Sequence, residues 1–243
     1  MLHGAERNRF DLSFCLPSEC ADRLASGRAD IGIVPSVELS RQNLEVIPGA
    51  GIACRGPVRS ILLISKVPPG QICTLAADSS SRASTVLARI LLAHRYGVEP
   101  LFLHQAPDLP SMLEAADAAL IIGDPALRLD PAGLPFLVLD LGEEWAGMTG
   151  LPMVFAVWAG AKECVTPDLV EPFLSSCRFG LAHLDDIVLL ESERRNLPET
   201  LTRRYLTRHI VFEIGAREEE GLRLFLQYAR QFDIVVSSGK ASA

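Results

Sequence analysis

Short apolar runs of strand length alternate with runs of helical spacing through the first two thirds of the chain, and this alternation restricts the fold to the α/β class. The sharpest instance is Thr74-Leu75-Ala76-Ala77, then Asp78-Ser79-Ser80-Ser81-Arg82-Ala83-Ser84-Thr85, then Val86-Leu87-Ala88-Arg89-Ile90-Leu91-Leu92. It reads as a strand, a hydroxyl-rich turn and a helix start. Such a turn presents free backbone N–H groups at the positive end of a helix dipole, a natural place for an anion. Serine hydroxyls and the Arg82 guanidinium add donors. The same residues also suit an ordinary serine-capped helix, so the turn alone decides nothing.

The pattern recurs on both sides. Ser18 to Ser26 places Cys20, Ala21, Leu24 and Ala25 on one helical face, and Gly27 stops it. Ile31-Gly32-Ile33-Val34 follows as a buried strand that opens into the loop Pro35-Ser36-Val37-Glu38. Ligands in open α/β sheets bind beyond the carboxyl ends of strands, which makes Ser36 and Glu38 candidates. Further strands are expected at Leu44–Ile47, Ile61–Ser65, Leu101–Leu103, Ala118–Ile122, Val138–Leu141 and Met153–Trp158. Lys66 to Gly70, with two prolines and a glycine, reads as a crossover. From Thr166 onward the chain is mainly helical, and its last helix puts Leu222, Phe225, Leu226, Ala229 and Phe232 on one face. The expected arrangement is two small parallel-sheet lobes around a cleft: residues 1–67 and 142–243 in one, residues 68–141 in the other.

Composition narrows the function. At 243 residues, 49% apolar and 22% charged, the chain can bury a real core, and its net charge of −7 argues against a general nucleic-acid or anionic-membrane binder. No apolar run approaches the ~20 residues needed to span a bilayer, and Met1 to Phe14 lacks the apolar core of a signal peptide. The six cysteines form no Cys-x-x-Cys pair and the five histidines are scattered, so no metal pattern is present. A cytoplasmic location with reduced thiols is the expectation.

Several motifs occur in a fixed order. They are Leu24-x-x-Gly27-x-x-Asp30-x-Gly32-x-Val34-Pro35-Ser36, Gly56-Pro57-Val58-Arg59-Ser60, Asp78-x-Ser80-Ser81-Arg82-x-Ser84, Pro107-Asp108-Leu109, Asp117 through Arg128, Asp140-Leu141-Gly142 and Thr149 through Trp158. Together they resemble the chorismate dehydratase family of the futalosine route to menaquinone, from about Leu2 to Tyr228. The resemblance implies a two-lobed fold like the type 2 periplasmic binding proteins, used as an enzyme. It implies removal of water from chorismate to give 3-[(1-carboxyvinyl)oxy]benzoate. Aromatisation drives that reaction, so no cofactor or metal is needed. A sister family acts on cyclic dehypoxanthine futalosine, but the run Leu151 to Trp158 resembles the dehydratase version. A non-catalytic binding protein for a small carboxylate is the alternative on the same fold.

The resemblance also distributes roles. Ser60 is the catalytic candidate. Ser80, Ser81, Arg82, Ala83 and Ser84 are expected to hold a substrate carboxylate, with Ser36 lining the cleft from the facing lobe and Gly123 and Asp124 bounding the pocket. Family members open with a strand and Asn-x-x-Pro-Leu, whose Asn is a second catalytic candidate. Here Met1-Leu2-His3-Gly4 resembles only the tail of that segment, and Asn8 lies outside the motif. The expectation is a native start further upstream, and weak or absent activity without that segment.

Overall fold

The computed structural model describes residues 1–78 and 82–238. Its strands form two sheets. The first contains β1 (Ile31–Pro35), β2 (Glu45–Cys54), β8 (Met153–Gly160) and β9 (Val211–Glu213) in the order β1-β8-β2-β9. The second contains β3 (Ile61–Ser65), β4 (Thr74–Ala77), β5 (Leu101–His104), β6 (Ala118–Ile122) and β7 (Leu137–Asp140) in the order β5-β4-β6-β3-β7. The helices are α1 (Pro17–Ala25), α2 (Arg82–Tyr96), α3 (Leu109–Ala115), α4 (Gly123–Arg128), α5 (Leu141–Thr149), α6 (Pro167–Ala182), α7 (Leu184–Arg195), α8 (Glu199–Arg204) and α9 (Ala216–Ser238).

Three expectations change. The first concerns the crossing. β3 lies inside the second sheet, paired with β6 and β7, so the chain crosses between Cys54 and Ile61 rather than at Lys66 to Gly70. All five β3 residues are buried, as befits an interior strand, and Lys66 to Gly70 is a turn within the same half. The return crossing falls at Gly150–Pro152, after α5 has packed on the second sheet. The expected divisions at 67/68 and 141/142 move accordingly.

The second change concerns strand direction. Among the described residues the first sheet is wholly antiparallel and the second mixed, with parallel pairs only at β4/β5 and β4/β6. The physical reason is the returning strand: β8 inserts between β1 and β2 and runs opposite to both. The third concerns β2, which is one ten-residue strand that runs on past the expected Leu44–Ile47 to Cys54. It shifts register against β8 between Val46 and Gly51, with Gly49 at φ +85° in the bulge. β9 is a strand that the helical spacing of the C-terminal third did not signal. β1 pairs only with β8 among the described residues, so its other edge carries no strand.

The core joins the sheets. α2 turns Ala83, Val86, Leu87, Ile90 and Leu91 inward, a helical stripe. They cluster with Leu63 and Leu75 of the second sheet, with Met153 and Phe155 of the first, and with Phe225 and Ala229 of α9. Trp145 of α5 is fully buried there, edge-on to Phe225 and Tyr228, and its indole N–H donates to the Pro152 carbonyl at 3.1 Å. No described helix is long and apolar enough to cross a membrane.

Cys20 and Cys54 belong to this buried architecture. Burial pushes the Cys20 thiol up to about 11 and the Cys54 thiol up to about 12, whereas Cys73 is exposed. A thiol reagent at pH 8 is expected to label Cys73 in the folded protein and to reach Cys20 and Cys54 only on unfolding. Mass spectrometry of the alkylated protein checks this; native labelling of Cys54 would contradict the packing.

Candidate functional site

The strand registers collect the site on one edge of the second sheet. β4 and β6 are parallel, with Ala77 opposite Leu120, so the carboxyl end of β4 and Gly123–Asp124 after β6 lie at the same edge. β3 runs the other way, with Ile61 opposite Ile122, which places Ser60 at the same edge. β7 is antiparallel to β3, with Asp140 opposite Leu62, so Asp140 also lies there. Four segments distant in sequence thus meet where strands of an open sheet end, the usual ligand position.

Ser60 is held from several sides. Its carbonyl accepts from the Gly123 N–H at 2.8 Å. Its hydroxyl lies 3.0 Å from the Tyr205 hydroxyl, and the residue is only 4% exposed. The preceding Arg59 has φ +65°, a left-handed backbone that costs a non-glycine residue about 1–3 kcal/mol. Contacts at both ends hold it there. Its N–H donates to Asp140 at 2.6 Å, and its guanidinium donates to the carbonyls of Ala126, Leu127 and Leu129 at the end of α4. Arg59 therefore ties Ser60 to the short helix that carries Gly123 and Asp124. Asp140 also accepts from the N–H groups of Val58, Gly142 and Glu143, capping α5 while it holds the crossing segment.

Two ion pairs span the halves beside this point. Arg82, in the first turn of α2, donates to both carboxylate oxygens of Asp22 at 2.9 Å and to Glu38 at 3.2 Å. Glu38 is 3% exposed and also accepts from the Gln42 side chain at 3.0 Å. Asp124 pairs with Arg195 of α7 at 2.7 Å.

The sequence-derived candidates thus separate. Ser60, Gly123 and Asp124 converge. Arg82 is committed to Asp22 and Glu38 in this conformation, with Ala83 and Ser84 buried behind it. Ser36 does not line a cleft: it is fully buried and donates to the Val154 carbonyl at 2.7 Å, fixing β1 to β8. Ser80 and Ser81 lie outside the described residues. Tyr205, Arg59 and Asp140 were missed as site residues. The motifs contain Arg59 and Asp140, yet nothing in their spacing assigns them contacts, and Tyr205 sits in an unremarkable helical stretch. Burial raises the Tyr205 phenol above its ordinary value; the Ser60 hydrogen bond works against that rise and the Asp124 charge adds to it. Among the described residues no cluster of His, Cys, Asp and Glu could hold a metal ion.

A chorismate dehydratase from Thermus thermophilus is 28% identical, with 93% of this chain and 89% of the relative aligned. One from Campylobacter jejuni is 25% identical over 90% of this chain and 83% of the relative. Among solved structures, a protein from Archaeoglobus fulgidus has a TM-score of 0.70 at 16% identity, covering 90% of this chain and 84% of that one. The periplasmic aliphatic sulphonate binding protein of Escherichia coli has a TM-score of 0.62 at 15% identity, covering 90% and 75%. The fold is therefore that of the periplasmic binding proteins, as expected from the sequence. The menaquinone biosynthesis family matches residues 1–231, and the chain belongs to that family.

Proposed function

We propose that this chain is a chorismate dehydratase that converts chorismate to 3-[(1-carboxyvinyl)oxy]benzoate and water. The observation that carries the reading is the convergence of Ser60 with Gly123 and Asp124 on one sheet edge, in a chain whose relatives bear that name. The reaction removes a ring proton and the ring hydroxyl. The C–H electron pair becomes the new ring π bond, and the departing oxygen leaves as water with the ring proton as its second hydrogen. The atoms balance without an oxidant or a metal. A dianionic substrate needs an anion donor, which Arg82 at the start of α2 becomes once it releases Asp22 and Glu38, and a hydroxyl or amide donor at the departing oxygen. Ser60 is that donor. In this conformation it is nearly covered, so substrate entry requires the halves to part across the Arg82 and Arg195 ion pairs. The reading places the protein in the cytoplasm, without a cofactor.

The test is conversion of chorismate by the purified chain, followed through the aromatic product. Ser60→Ala is expected to lower turnover by about 10²–10³-fold, the usual cost of one transition-state donor, with a melting temperature only a few degrees lower, since it leaves the buried Tyr205 hydroxyl without its partner. Undiminished turnover by Ser60→Ala would remove Ser60 from the chemistry. A second reading, a non-catalytic binding protein for small carboxylates, is favoured by the likeness to the sulphonate-binding fold. It wins if chorismate stays intact while a carboxylate raises the melting temperature.

A further inference from the structure

Tyr205 touches the site from the far end of the chain, and the manner of its arrival is informative. It opens a π-helical turn, Tyr205–His209, closed by the Ile210 N–H donating to the Tyr205 carbonyl at 3.1 Å. Such turns are rare and frequent at functional sites. The turn meets the crossing segment at two points. His209 Nδ1 lies 2.9 Å from the Pro57 carbonyl, and the Tyr205 hydroxyl lies 3.0 Å from Ser60 Oγ. The Tyr205 ring packs against the central apolar cluster, so its position is set by packing and its hydroxyl by Ser60.

We propose that Tyr205 is a positioning residue for Ser60: its phenol donates to Ser60 Oγ and so leaves the serine's own proton free to donate to the departing ring hydroxyl. This rests on the dehydratase reading above. A serine hydroxyl has one proton and two acceptor lone pairs. Without a partner that proton can turn to any nearby acceptor. A phenol, the more acidic of the two hydroxyls, takes the donor role and occupies one serine lone pair. Burial keeps the phenol protonated at neutral pH, since it raises the group above its ordinary value of about 10. Arg59 and Gly123 hold the serine backbone, and Tyr205 holds its side chain. Neither hydroxyl changes protonation over the cycle; the ring proton supplies the second hydrogen of the water formed.

The experiment compares wild type, Ser60→Ala, Tyr205→Phe and the double variant. Tyr205→Phe keeps the packed ring and removes only the hydroxyl. It is expected to lower kcat by about 10–100-fold while KM and melting temperature stay unchanged. On the Ser60→Ala background it is expected to cost nothing further, because residues that act through one another are not additive. Full kcat in Tyr205→Phe, a loss that multiplies in the double variant, or a loss confined to KM or thermal stability would overturn the positioning role. If wild type leaves chorismate unchanged, the dehydratase reading falls, and an ultraviolet titration of the tyrosines decides the pair separately. One phenol is then expected to titrate at a different pH in Ser60→Ala than in wild type. Identical titration curves would overturn the Tyr205–Ser60 interaction itself.

Discussion

Asp140→Ala is expected to destabilise the fold by about 2–4 kcal/mol and to disable the site in the molecules that remain folded. The magnitude follows from what the carboxylate holds. It accepts from Gly142 and Glu143 as the cap of α5, and loss of a cap costs about 1 kcal/mol. It also accepts from Val58 and Arg59 at 2.9 and 2.6 Å, and each of these half-buried N–H groups loses about 1 kcal/mol or more without an acceptor. The functional part follows from Arg59. Without Asp140 its left-handed backbone loses its N-side anchor, and Ser60 follows it. Asp140→Asn separates the two effects. The amide keeps one acceptor oxygen for Val58, Gly142 and Glu143, all of which bond Oδ1. It turns an NH2 group toward the Arg59 N–H, which bonds Oδ2. Urea denaturation of the Asn variant should show a smaller loss of stability than the Ala variant, while turnover falls in both. Wild-type stability in Asp140→Ala would mean that water replaces the carboxylate at no cost.

Gly221→Ala is expected to lower the melting temperature by roughly 4–8 °C. A Cβ at this position would lie 2.0 Å from the Pro152 carbonyl oxygen and 3.1 Å from its carbon. Both neighbours are backbone, so no side chain can rotate away. That oxygen also accepts from the Trp145 indole, which resists any displacement of Pro152. Overpacking costs about 1–3 kcal/mol, and a close approach to a backbone carbonyl belongs at the upper end. Alanine returns about 1 kcal/mol through helix propensity. The net of about 2 kcal/mol converts to the stated shift for a chain of this size. Gly180→Ala in α6 is the control. Its nearest neighbour would be Ile187 Cδ1 at 4.0 Å, so only the propensity gain operates and the melting temperature should rise. Differential scanning calorimetry of the pair distinguishes a specific close approach of α9 to β8 from a general preference for alanine in helices.

Much of the secondary structure was legible in local patterns. α1, α2 and α9 announce themselves by apolar residues at helical spacing, and β3 and β6 by short unbroken apolar runs. Candidate residues were legible where they stand at strand ends: Ser60, Gly123 and Asp124 do converge. β9 was not, because a three-residue strand with half-buried and exposed positions has no period to detect.

By itself, the sequence determined that the chain alternates strand and helix, that Ser60 and Gly123–Asp124 end up at strand termini, and which family it resembles. These follow from interactions a few residues apart and from ordered motifs. Tertiary structure alone decided the rest. β8, from the return segment, inserts between β1 and β2 and makes that sheet antiparallel. Arg82 meets Glu38 and Asp22 across the halves instead of standing free for an anion. Ser36 turns into the backbone of β8. Ser60 meets Tyr205, 145 positions further along the chain. The physical reason is common to all four. Each is a pairing between groups whose separation along the chain is far longer than any helical or strand period, so only the packing of one sheet against the other selects the partner.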